Sequence, residues 1–414
     1  MAFLSETQRA SLLTNVLNAV DQKLACTPAE APDVRELRRV HEAAIVRAAD
    51  AASFERAMNA MLRAIGKSHT GFHHESQPRA SARVAIAATF TTADTRDGQR
   101  WVFQDVHPGG VAARAGIRPG DVLLTLDDHE IVPPAFAPLA LSTRYVVRVR
   151  SADGTTHGAM LDIPGSTEKK RPLVVPDAVV TASRLEADLG RIRVSMFPGV
   201  LGMDVARDIS RAVRELDCAR LVIDLRGNTG GGIGGLRLMS HLCADRRGVG
   251  YSVGRAQLRA SYDKTRLPQF RGIPRSTWGV LPLIPKFVFA KQSIAVFSEG
   301  LGAQKHHGRV AILINEHSSG AAEMVAAFAQ EYGLATLVGT KTAGRLVGAS
   351  SFKVGGGYRV ALPVAAYFTW QDTNLEGVGL VPDEEETLPP AALWESRDPQ
   401  LARAAAATAA TATR

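Results

Sequence analysis

Cysteine is scarce in this sequence, with only Cys26, Cys218 and Cys243 among 414 residues. No two of them stand in a CxxC motif or in another metal-ligand spacing, so the sequence excludes a disulfide framework and a thiolate metal site. We expect three inert, partly buried thiols. The sequence indicates neither a metal ion nor an organic cofactor.

Long apolar runs are also missing. No stretch reaches the roughly 18 uncharged apolar residues that a membrane-spanning helix needs, and the best run, at 279–290, is short and contains Lys286. The N-terminal segment carries Glu6, Arg9 and Asp21 and lacks the basic region, apolar stretch and cleavage site of a secretory signal. These features predict a cytoplasmic protein, with export of a processed form left open.

A strong excess of one charge is absent as well. The 49 Lys and Arg residues against 41 Asp and Glu give a formal net charge of +8. The basic residues are dispersed, and their short clusters neither alternate with aromatic residues nor match a nucleic-acid-binding module. We therefore predict no nucleic-acid partner; a preference for anionic peptides or chain ends is an alternative that the positive charge leaves open.

The length allows two to three domains. Apolar residues recur at helical spacing up to about residue 66, alternate with period two over about 80–165, and form strand–loop–helix units over about 170–390. Such units predict an α/β core. We predict four segments and one irregular insertion: a helical N-terminal domain at 1–78, a β-rich domain at 79–168, the core at 169–392, a low-complexity tail at 393–414 whose Ala/Thr-rich part from residue 402 frays, and the insertion at 251–290.

Two glycine- and serine-rich turns follow buried strands of the predicted core. DLRGNTGGG at 224–232 places glycines between a strand and a helix, where bare backbone N–H groups can bind a phosphate or an oxyanion. INEHSSGAAEM at 314–324 places hydroxyl groups at a second strand-to-helix turn, which suits either a nucleophile or an ordinary helix cap. Neither segment matches a nucleotide-binding motif.

A histidine and a glutamate stand in two further segments, SHTGF at 68–72 and LEGVGLVPD at 375–383. Taken alone, His69 is typical of a structural histidine and Glu376 of a surface carboxylate. Taken with the two turns, and in this order, the four segments resemble the tail-specific, or C-terminal processing, serine peptidase family. The motifs that carry the resemblance are "DxRGNxGG", "NxxS…AxE" and "EGxGVxPD".

The β-rich segment carries a second resemblance. VHPGGVAARAGIRPGDVL at 106–123 is similar to the PDZ-domain pattern "PGSPAxxAGLxxGDxIL", which runs through a short helix into a strand. Upstream, AIAA at 85–88 lacks the usual glycine of the carboxylate-binding loop, so binding of a chain terminus is less secure than the fold. Together the resemblances imply a PDZ-like peptide-binding domain before a crotonase/Clp-protease-like α/β core.

The family uses either a Ser–Lys dyad or a Ser–His–Glu arrangement. Arg345 stands at the motif position of the dyad lysine and stays protonated, while Lys341 lies four residues earlier. The dyad is thus disfavoured, and the resemblance points to His69 as the base and Glu376 as the residue that orients it. The implied oxyanion donors are the backbone N–H groups of Gly230, Gly231 and Gly320.

The nucleophile departs from the family pattern. Counted from Glu323, the expected serine falls on Gly320, one residue after Ser319 and two after Ser318. Three interpretations stay open: Ser319 has taken over the role, the chain is a peptide-binding pseudo-peptidase, or Ser318 or another group acts. An acyl-CoA enzyme of the crotonase type is disfavoured by the PDZ segment. Cleavage preference, physiological substrate and oligomeric state, including a homo-oligomer, are left open.

Overall fold

We describe a computed structural model in which the placed residues are 3–134, 136–166, 174–199, 201–274, 293–302 and 308–409. The helices, numbered along the chain, are α1 (Glu6–Lys23), α2 (Val34–Val46), α3 (Ala51–Arg63), α4 (Ala82–Ile86), α5 (Val111–Arg114), α6 (Met203–Leu216), α7 (Leu236–Leu242), α8 (Arg255–Leu258), α9 (Ala321–Glu331), α10 (Pro390–Trp394) and α11 (Pro399–Ala409).

The strands are β1 (Gly71–His74), β2 (Arg79–Ala80), β3 (Ala88–Thr95), β4 (Gly98–Val106), β5 (Val122–Leu126), β6 (His129–Glu130), β7 (Leu139–Ala140), β8 (Thr143–Arg150), β9 (Thr156–Ile163), β10 (Val180–Glu186), β11 (Leu189–Val194), β12 (Arg220–Asp224), β13 (Gly248–Gly254), β14 (Gln269–Phe270), β15 (Ile294–Phe297), β16 (Arg309–Ile314), β17 (Thr336–Gly339), β18 (Val347–Gly355), β19 (Tyr358–Thr369) and β20 (Glu384–Glu385). The chain is a mixed α/β protein with a helical N-terminal segment, as the sequence predicts.

The N-terminal helices pack onto the core rather than around a centre of their own. Phe54 of α3 lies edge-on to Phe72 and to Tyr358, each with ring centroids 5.5 Å apart. Phe72 belongs to β1, which pairs antiparallel with β19, a long strand of the core. The predicted boundary at residue 78 therefore follows a strand that is already part of a core sheet. This pairing fixes the chain immediately after His69.

The β-rich segment forms a sheet in the order β3-β4-β5-β8-β9, with β6 paired to β5. The predicted short helix is α5, and the turn before β5 contains Gly120 with a φ of +92°, a conformation that favours glycine. Strand β3 lies at one edge of this sheet. Between β6 and β8, the described residues contain β7 but no helix. Phe136 from this connection packs against Phe90 of β3, with ring centroids 5.1 Å apart.

The core holds two further sheets. One runs in the order β10-β11-β12-β16-β17-β20 and is parallel from β11 onward, and the other runs in the order β1-β19-β13-β15-β14 with β18 paired to β19. Helices α6, α7 and α9 bury one face of the parallel sheet against Leu221, Ile223 and Ile312. The carboxyl ends of β12 and β16 carry the two predicted turns.

The prediction that the tail frays is wrong for its described part. Helix α11 covers the second face of the parallel sheet, where Ala404 packs with Val222 and Leu313. A parallel sheet is normally buried on both faces, and the small side chains of α11 allow a close approach to the strands. The tail is therefore a structural element, and residues 410–414 lie outside the described part.

The predicted irregular insertion is partly regular. Strand β13 occupies its beginning and pairs with β19 and β15, whereas residues 275–292 lie outside the described part. In the portion of the chain that the structure describes, no helix is both long and apolar enough to cross a membrane.

Candidate active site

Two glycine turns meet at the carboxyl ends of β12 and β16. Below the first turn, buried Asp224 accepts hydrogen bonds from Arg226 and from Arg191. Burial alone would raise the pKa of Asp224, but these arginines outweigh it and hold the pKa well below its usual range. Arg226 also donates to Asp398 at 2.9 Å and 2.8 Å, so a residue just before α11 helps to fix the turn.

Backbone geometry requires glycine at two positions of the first turn. Gly231 has a φ of +127°, and a Cβ there would lie 2.1 Å from the carbonyl oxygen of Phe197. Gly230 has a φ of +77°, and a Cβ there would lie 2.7 Å from the carbonyl oxygen of Ser319. The two turns are therefore in backbone contact, with no room for a side chain between them.

Only part of the predicted oxyanion set has an available N–H group. The Gly230 N–H donates to Asn228 Oδ1 at 2.8 Å, and the Gly320 N–H donates to Glu323 Oε2 at 3.0 Å. Among the described residues, no acceptor is found for the N–H of Gly231 or for that of Ala321 at the first position of α9. The geometry therefore favours Gly231 and Ala321 as donors, and Ala321 was missing from the sequence prediction.

The second turn holds its two serines differently. Ser318 is fully buried; its Oγ donates to the carbonyl oxygen of Leu225 at 2.8 Å and accepts from the Asn315 N–H at 3.0 Å. Ser319 is also buried, with its Oγ 3.5 Å from the carbonyl oxygen of Asn228. That separation is at the outer limit for a hydrogen bond, so the Ser319 hydroxyl is held less tightly than that of Ser318.

Gly320 adopts the sharp conformation of the turn, with a φ of 61° and a ψ of −121°. A Cβ at this position would lie 3.3 Å from Gly230 Cα and 4.0 Å from the Gly231 nitrogen. A side chain on residue 320 would thus point toward the glycine turn and its donors. In hydrolases with a nucleophile on such a turn, the following residue supplies an oxyanion N–H, which here is Ala321.

His69 and Glu376 are brought together through a residue that the sequence analysis did not single out. Ser68 Oγ lies 2.7 Å from His69 Nδ1 and donates to Glu376 Oε2 at 3.0 Å, while the Ser68 N–H donates to Glu376 Oε1 at 2.7 Å. Because the Ser68 hydroxyl gives its one proton to the carboxylate, it accepts the proton of His69 Nδ1. The imidazole then keeps Nε2 as its basic nitrogen.

One short segment connects the hydrogen-bonded series of His69, Ser68 and Glu376 to the second turn. The Leu346 N–H donates to Glu376 Oε2 at 3.0 Å, and the neighbouring Arg345 N–H donates to Glu323 Oε2 at 3.0 Å. The same Glu323 oxygen accepts the N–H of Gly320. The Arg345 carbonyl oxygen would lie 3.8 Å from a Cβ on Gly320. Arg345 therefore contributes backbone at the site, while Lys341 is an exposed side chain.

The PDZ-like domain contacts the second turn directly. Arg83 Nη1 donates to the carbonyl oxygen of His317 at 2.7 Å, and His317 Nε2 lies 2.8 Å from the carbonyl oxygen of Phe90 on the edge strand β3. Gln104 Nε2 donates to Glu316 Oε1 at 2.8 Å. His317 is thus a residue of the interdomain contact, and its burial lowers its pKa.

A buried charged cluster lies beside the first turn. Arg193 contacts Asp105 and approaches His107 Nδ1 at 3.1 Å, and a Cβ on Gly227 would meet His107 Cε1 at 3.2 Å. Burial lowers the pKa of His107 to about 4; Asp105 opposes this shift and Arg193 adds to it. His107 is therefore neutral near pH 7 and serves the domain interface.

A small apolar depression lies next to the two turns. Its lining comes from residues just after each turn and from the adjoining helix and strand: Gly232, Ile233, Gly235, Leu236, Met239, Val296, Ala321 and Met324. Among the described residues, no group of acidic, histidine or cysteine side chains could hold a metal ion.

The family model of peptidase family S41 matches residues 188–386, and a PDZ-domain model matches residues 102–134. A carboxyl-terminal-processing protease of Picosynechococcus sp. is 23% identical over 284 residues, which is 67% of this chain and 58% of that protein. A second such protease, of Synechocystis sp., is 25% identical over 285 residues, 67% of this chain and 56% of that protein. The chain thus matches less than two thirds of these relatives' length.

Solved structures share the fold across most of the chain. The photosystem II D1 C-terminal processing protease aligns with a TM-score of 0.54 at 18% identity, over 94% of this chain and 96% of the other. Mature CPAF complexed with lactacystin aligns with a TM-score of 0.57 at 14% identity, over the same shares. At these identities the likeness concerns the fold.

Proposed function

We propose that this chain, which belongs to the tail-specific (C-terminal processing) serine peptidase family, hydrolyses peptide bonds in protein or peptide substrates. The observation that carries the proposal is the meeting, at one turn, of the Gly231 and Ala321 N–H groups with the segment that anchors Glu376. Serine hydrolysis needs oxyanion donors, a base and a group that orients the base. The candidate oxyanion donors lie beside Gly320, and the candidate base His69 is linked to the turn through Ser68, Glu376 and the segment of Leu346 and Arg345.

In the proposed reaction, Ser319 Oγ attacks the scissile carbonyl carbon. His69 Nε2 accepts the hydroxyl proton and later returns it to the leaving amine, so that an acyl-enzyme forms and water then hydrolyses it. Glu376 acts through Ser68, whose hydroxyl accepts from Nδ1 and stabilises the imidazolium form. Gly231 and Ala321 stabilise the oxyanion. Because Ser319 is buried, its side chain must turn away from the Asn228 carbonyl to reach the substrate.

A second candidate function is peptide binding without turnover. The observation that favours it is that Gly320, rather than a serine, adopts the sharp conformation of the turn. The names of the relatives favour the peptidase, and their shared architecture suits both functions. Cytoplasmic location, absence of a nucleic-acid partner and the predicted domain edges stay predictions from the sequence.

Hydrolysis of casein and of short tailed peptides, followed by mass spectrometry, tests the proposal. Wild type should cleave, while Ser319→Ala and His69→Ala should lose most activity, and Lys341→Ala, which changes an exposed side chain, should keep it. A fluorophosphonate probe should label Ser319 in the folded protein. Full activity of Ser319→Ala would refute the assignment of the nucleophile. Absence of both labelling and cleavage, with peptide binding retained, would establish the second function instead.

A further inference from the structure

A buried glutamine of the PDZ-like domain reaches into the core beside both turns. Gln104 lies on β4, and the two residues that flank it pair with consecutive residues of β3, so Gln104 is an extra residue in this ladder. A β-bulge of this kind bends the strand and re-aims a side chain. Gln104 is only 5% exposed, so both ends of its amide group need hydrogen-bond partners.

Glu316 fixes the direction in which the Gln104 amide points. Gln104 Nε2 donates to Glu316 Oε1 at 2.8 Å, and Thr340 Oγ1 donates to Glu316 Oε2 at 2.7 Å. Burial would raise the pKa of Glu316, but the nearby His317 and these two hydrogen bonds outweigh it and hold the pKa below its usual range. Because an ionised carboxylate only accepts hydrogen bonds, the N–H₂ end of Gln104 faces Glu316. The carbonyl end, Oε1, therefore faces Asn315.

The Gln104 carbonyl oxygen in turn orients the buried side chain of Asn315. Asn315 Nδ2 lies 3.4 Å from Gln104 Oε1, and no other acceptor is found for it among the described residues. At the opposite end of the amide, Asn315 Oδ1 accepts the Gly227 N–H at 2.9 Å and the His317 N–H at 3.2 Å. Gly227 belongs to the first turn and His317 to the second. One amide group thus holds the backbone of both turns, and a glutamine of the other domain fixes its orientation.

The two domains are in close contact at the first turn. A Cβ on Gly227, whose φ is +70°, would lie 3.0 Å from Thr89 Cγ2 and 3.2 Å from His107 Cε1, and both of these residues belong to the PDZ-like domain. The residue after Gly227 is Asn228, whose carbonyl oxygen accepts the Ser319 N–H at 2.9 Å. A shift of Gly227 therefore moves the partner of the Ser319 N–H, and with it the spacing between the two turns.

We propose that Gln104 is a positioning residue of the peptidase, which acts through Asn315 to hold the two turns at the spacing that the oxyanion donors require. The inference rests on the proposed function for the reaction, whereas the hold on the turns does not depend on it. Without the Gln104 amide, Asn315 Nδ2 loses its acceptor, and a buried donor without a partner is costly. Movement of Asn315 relieves that cost but releases the N–H groups of the turns. The N–H groups of Gly231 and Ala321 then no longer converge on one oxygen atom.

The main variant is Gln104→Met, which keeps the length of the side chain and removes both ends of the amide. Its matched control is Gln99→Met, the same change at an exposed position of the same strand. Steady-state kinetics on a fluorogenic peptide give kcat and KM, and urea unfolding shows that each variant is folded. We expect Gln104→Met to lower kcat by about 10- to 100-fold, as a misplacement of up to about 1 Å does. KM should stay near the wild-type value, because Gln104 acts on the donors rather than on bound substrate.

The control variant should match wild type in both constants. A folded Gln104→Met protein with wild-type kcat, or with a change confined to KM, would overturn the proposal.

Glu316→Ala keeps the proposal testable if Gln104→Met fails to fold. The Glu316 side chain is 46% exposed, so its removal spares the fold and leaves the Gln104 amide free to turn. We expect a smaller fall in kcat than in Gln104→Met, and no further fall when the two changes are combined. Wild-type kcat in Glu316→Ala would overturn the proposed arrangement, and so would additive effects in the double variant.

Hydrogen–deuterium exchange separates this inference from the proposed function. The N–H groups of Gly227 and His317 should exchange about tenfold faster in Gln104→Met than in wild type, the factor that corresponds to one hydrogen bond. Gln99→Met should exchange like wild type. Faster exchange in a protein that cleaves no substrate would support the hold of Gln104 on the turns and refute the peptidase. Cleavage by Gln104→Met at the wild-type kcat, with unchanged exchange, would support the peptidase and refute the role of Gln104.

Discussion

Replacing Gly320 by serine tests the chemistry of the turn most directly. The new Oγ would extend from a Cβ that lies 3.3 Å from Gly230 Cα, 3.8 Å from the Arg345 carbonyl oxygen and 4.0 Å from the Gly231 nitrogen. The 3.3 Å contact requires a shift of a few tenths of an ångström, and the other two are ordinary contacts. The substitution thus fits the space and places a hydroxyl group beside both oxyanion donors.

The expected gain follows from these donors. If Ser319 is the nucleophile, the next residue is Gly320, whose N–H is already bonded to Glu323. A hydroxyl on residue 320 would directly precede Ala321, whose N–H is available, whereas the oxyanion formed by Ser319 has to reach this donor from one residue further away. One oxyanion donor contributes about 10²- to 10³-fold to kcat, so Gly320→Ser should raise peptidase activity by about that factor. The positive φ of residue 320 should cost about 1–3 kcal/mol of stability.

The assay is steady-state hydrolysis of a fluorogenic peptide, with the free energy of unfolding measured in urea. Gly320→Ala is the matched control, because it carries the same backbone strain without a hydroxyl and should lose similar stability with no gain in activity. The double variant Ser319→Ala/Gly320→Ser should keep the gain. A folded Gly320→Ser protein that is no faster than wild type would refute the argument that a hydroxyl group at position 320 is better placed for the oxyanion donors than that of Ser319.

Three further predictions follow from the side chains around the turn. Ser68→Ala should lower kcat with little change in KM and shift the acid limb of the pH–rate profile, because Ser68 transmits the carboxylate charge to His69; a change confined to KM would contradict this. His107 has a pKa of about 4 in the folded protein against about 6.5 when unfolded, so its contribution is complete above pH 6.5 and falls by up to about 3 kcal/mol as the pH drops to 4. Urea unfolding of His107→Gln should show a weaker pH dependence than wild type over that range, and an equal slope would refute it. Asp398→Ala should lower the free energy of unfolding by about 1–3 kcal/mol, because buried Arg226 loses two acceptor atoms; an unchanged urea midpoint would contradict this.

The strand–turn–helix units of the core were predictable because each shows a local sequence pattern, an apolar strand followed by a turn and a helix. The run at 221–223 is apolar on both faces, as a buried parallel strand requires, and the glycines that follow the strand mark a turn that only glycine can form. The same run also implied a cover for its second face. That cover is α11, and its buried residues Gln400, Ala404 and Thr408 recur every four positions. The stripe was visible in the sequence, but small side chains in an Ala/Thr-rich segment carry a weak apolar signal.

The role of Ser68 was not predictable, because it depends on two contacts that are distant in sequence. Glu376 reaches the Ser68 hydroxyl across a sequence separation of 308 positions, and nothing local distinguishes Ser68 from another turn serine. For the same reason, the sequence could not show which backbone N–H groups are already hydrogen-bonded. Gly230 and Gly320 stand in the expected motif, yet side chains of Asn228 and Glu323 occupy their N–H groups. Sequence motifs identify the turn, whereas the hydrogen-bond partners decide which of its donors are free.

The contact between the PDZ-like domain and the second turn explains why the two domains cannot be considered separately. His317 Nε2 lies within hydrogen-bond distance of the Phe90 carbonyl oxygen on β3. Strand β3 is an edge strand, to which a peptide would add as an extra strand. A peptide that paired there would have to displace His317, which lies three residues before Gly320. Peptide binding along this edge and the geometry of the turn are therefore mutually dependent.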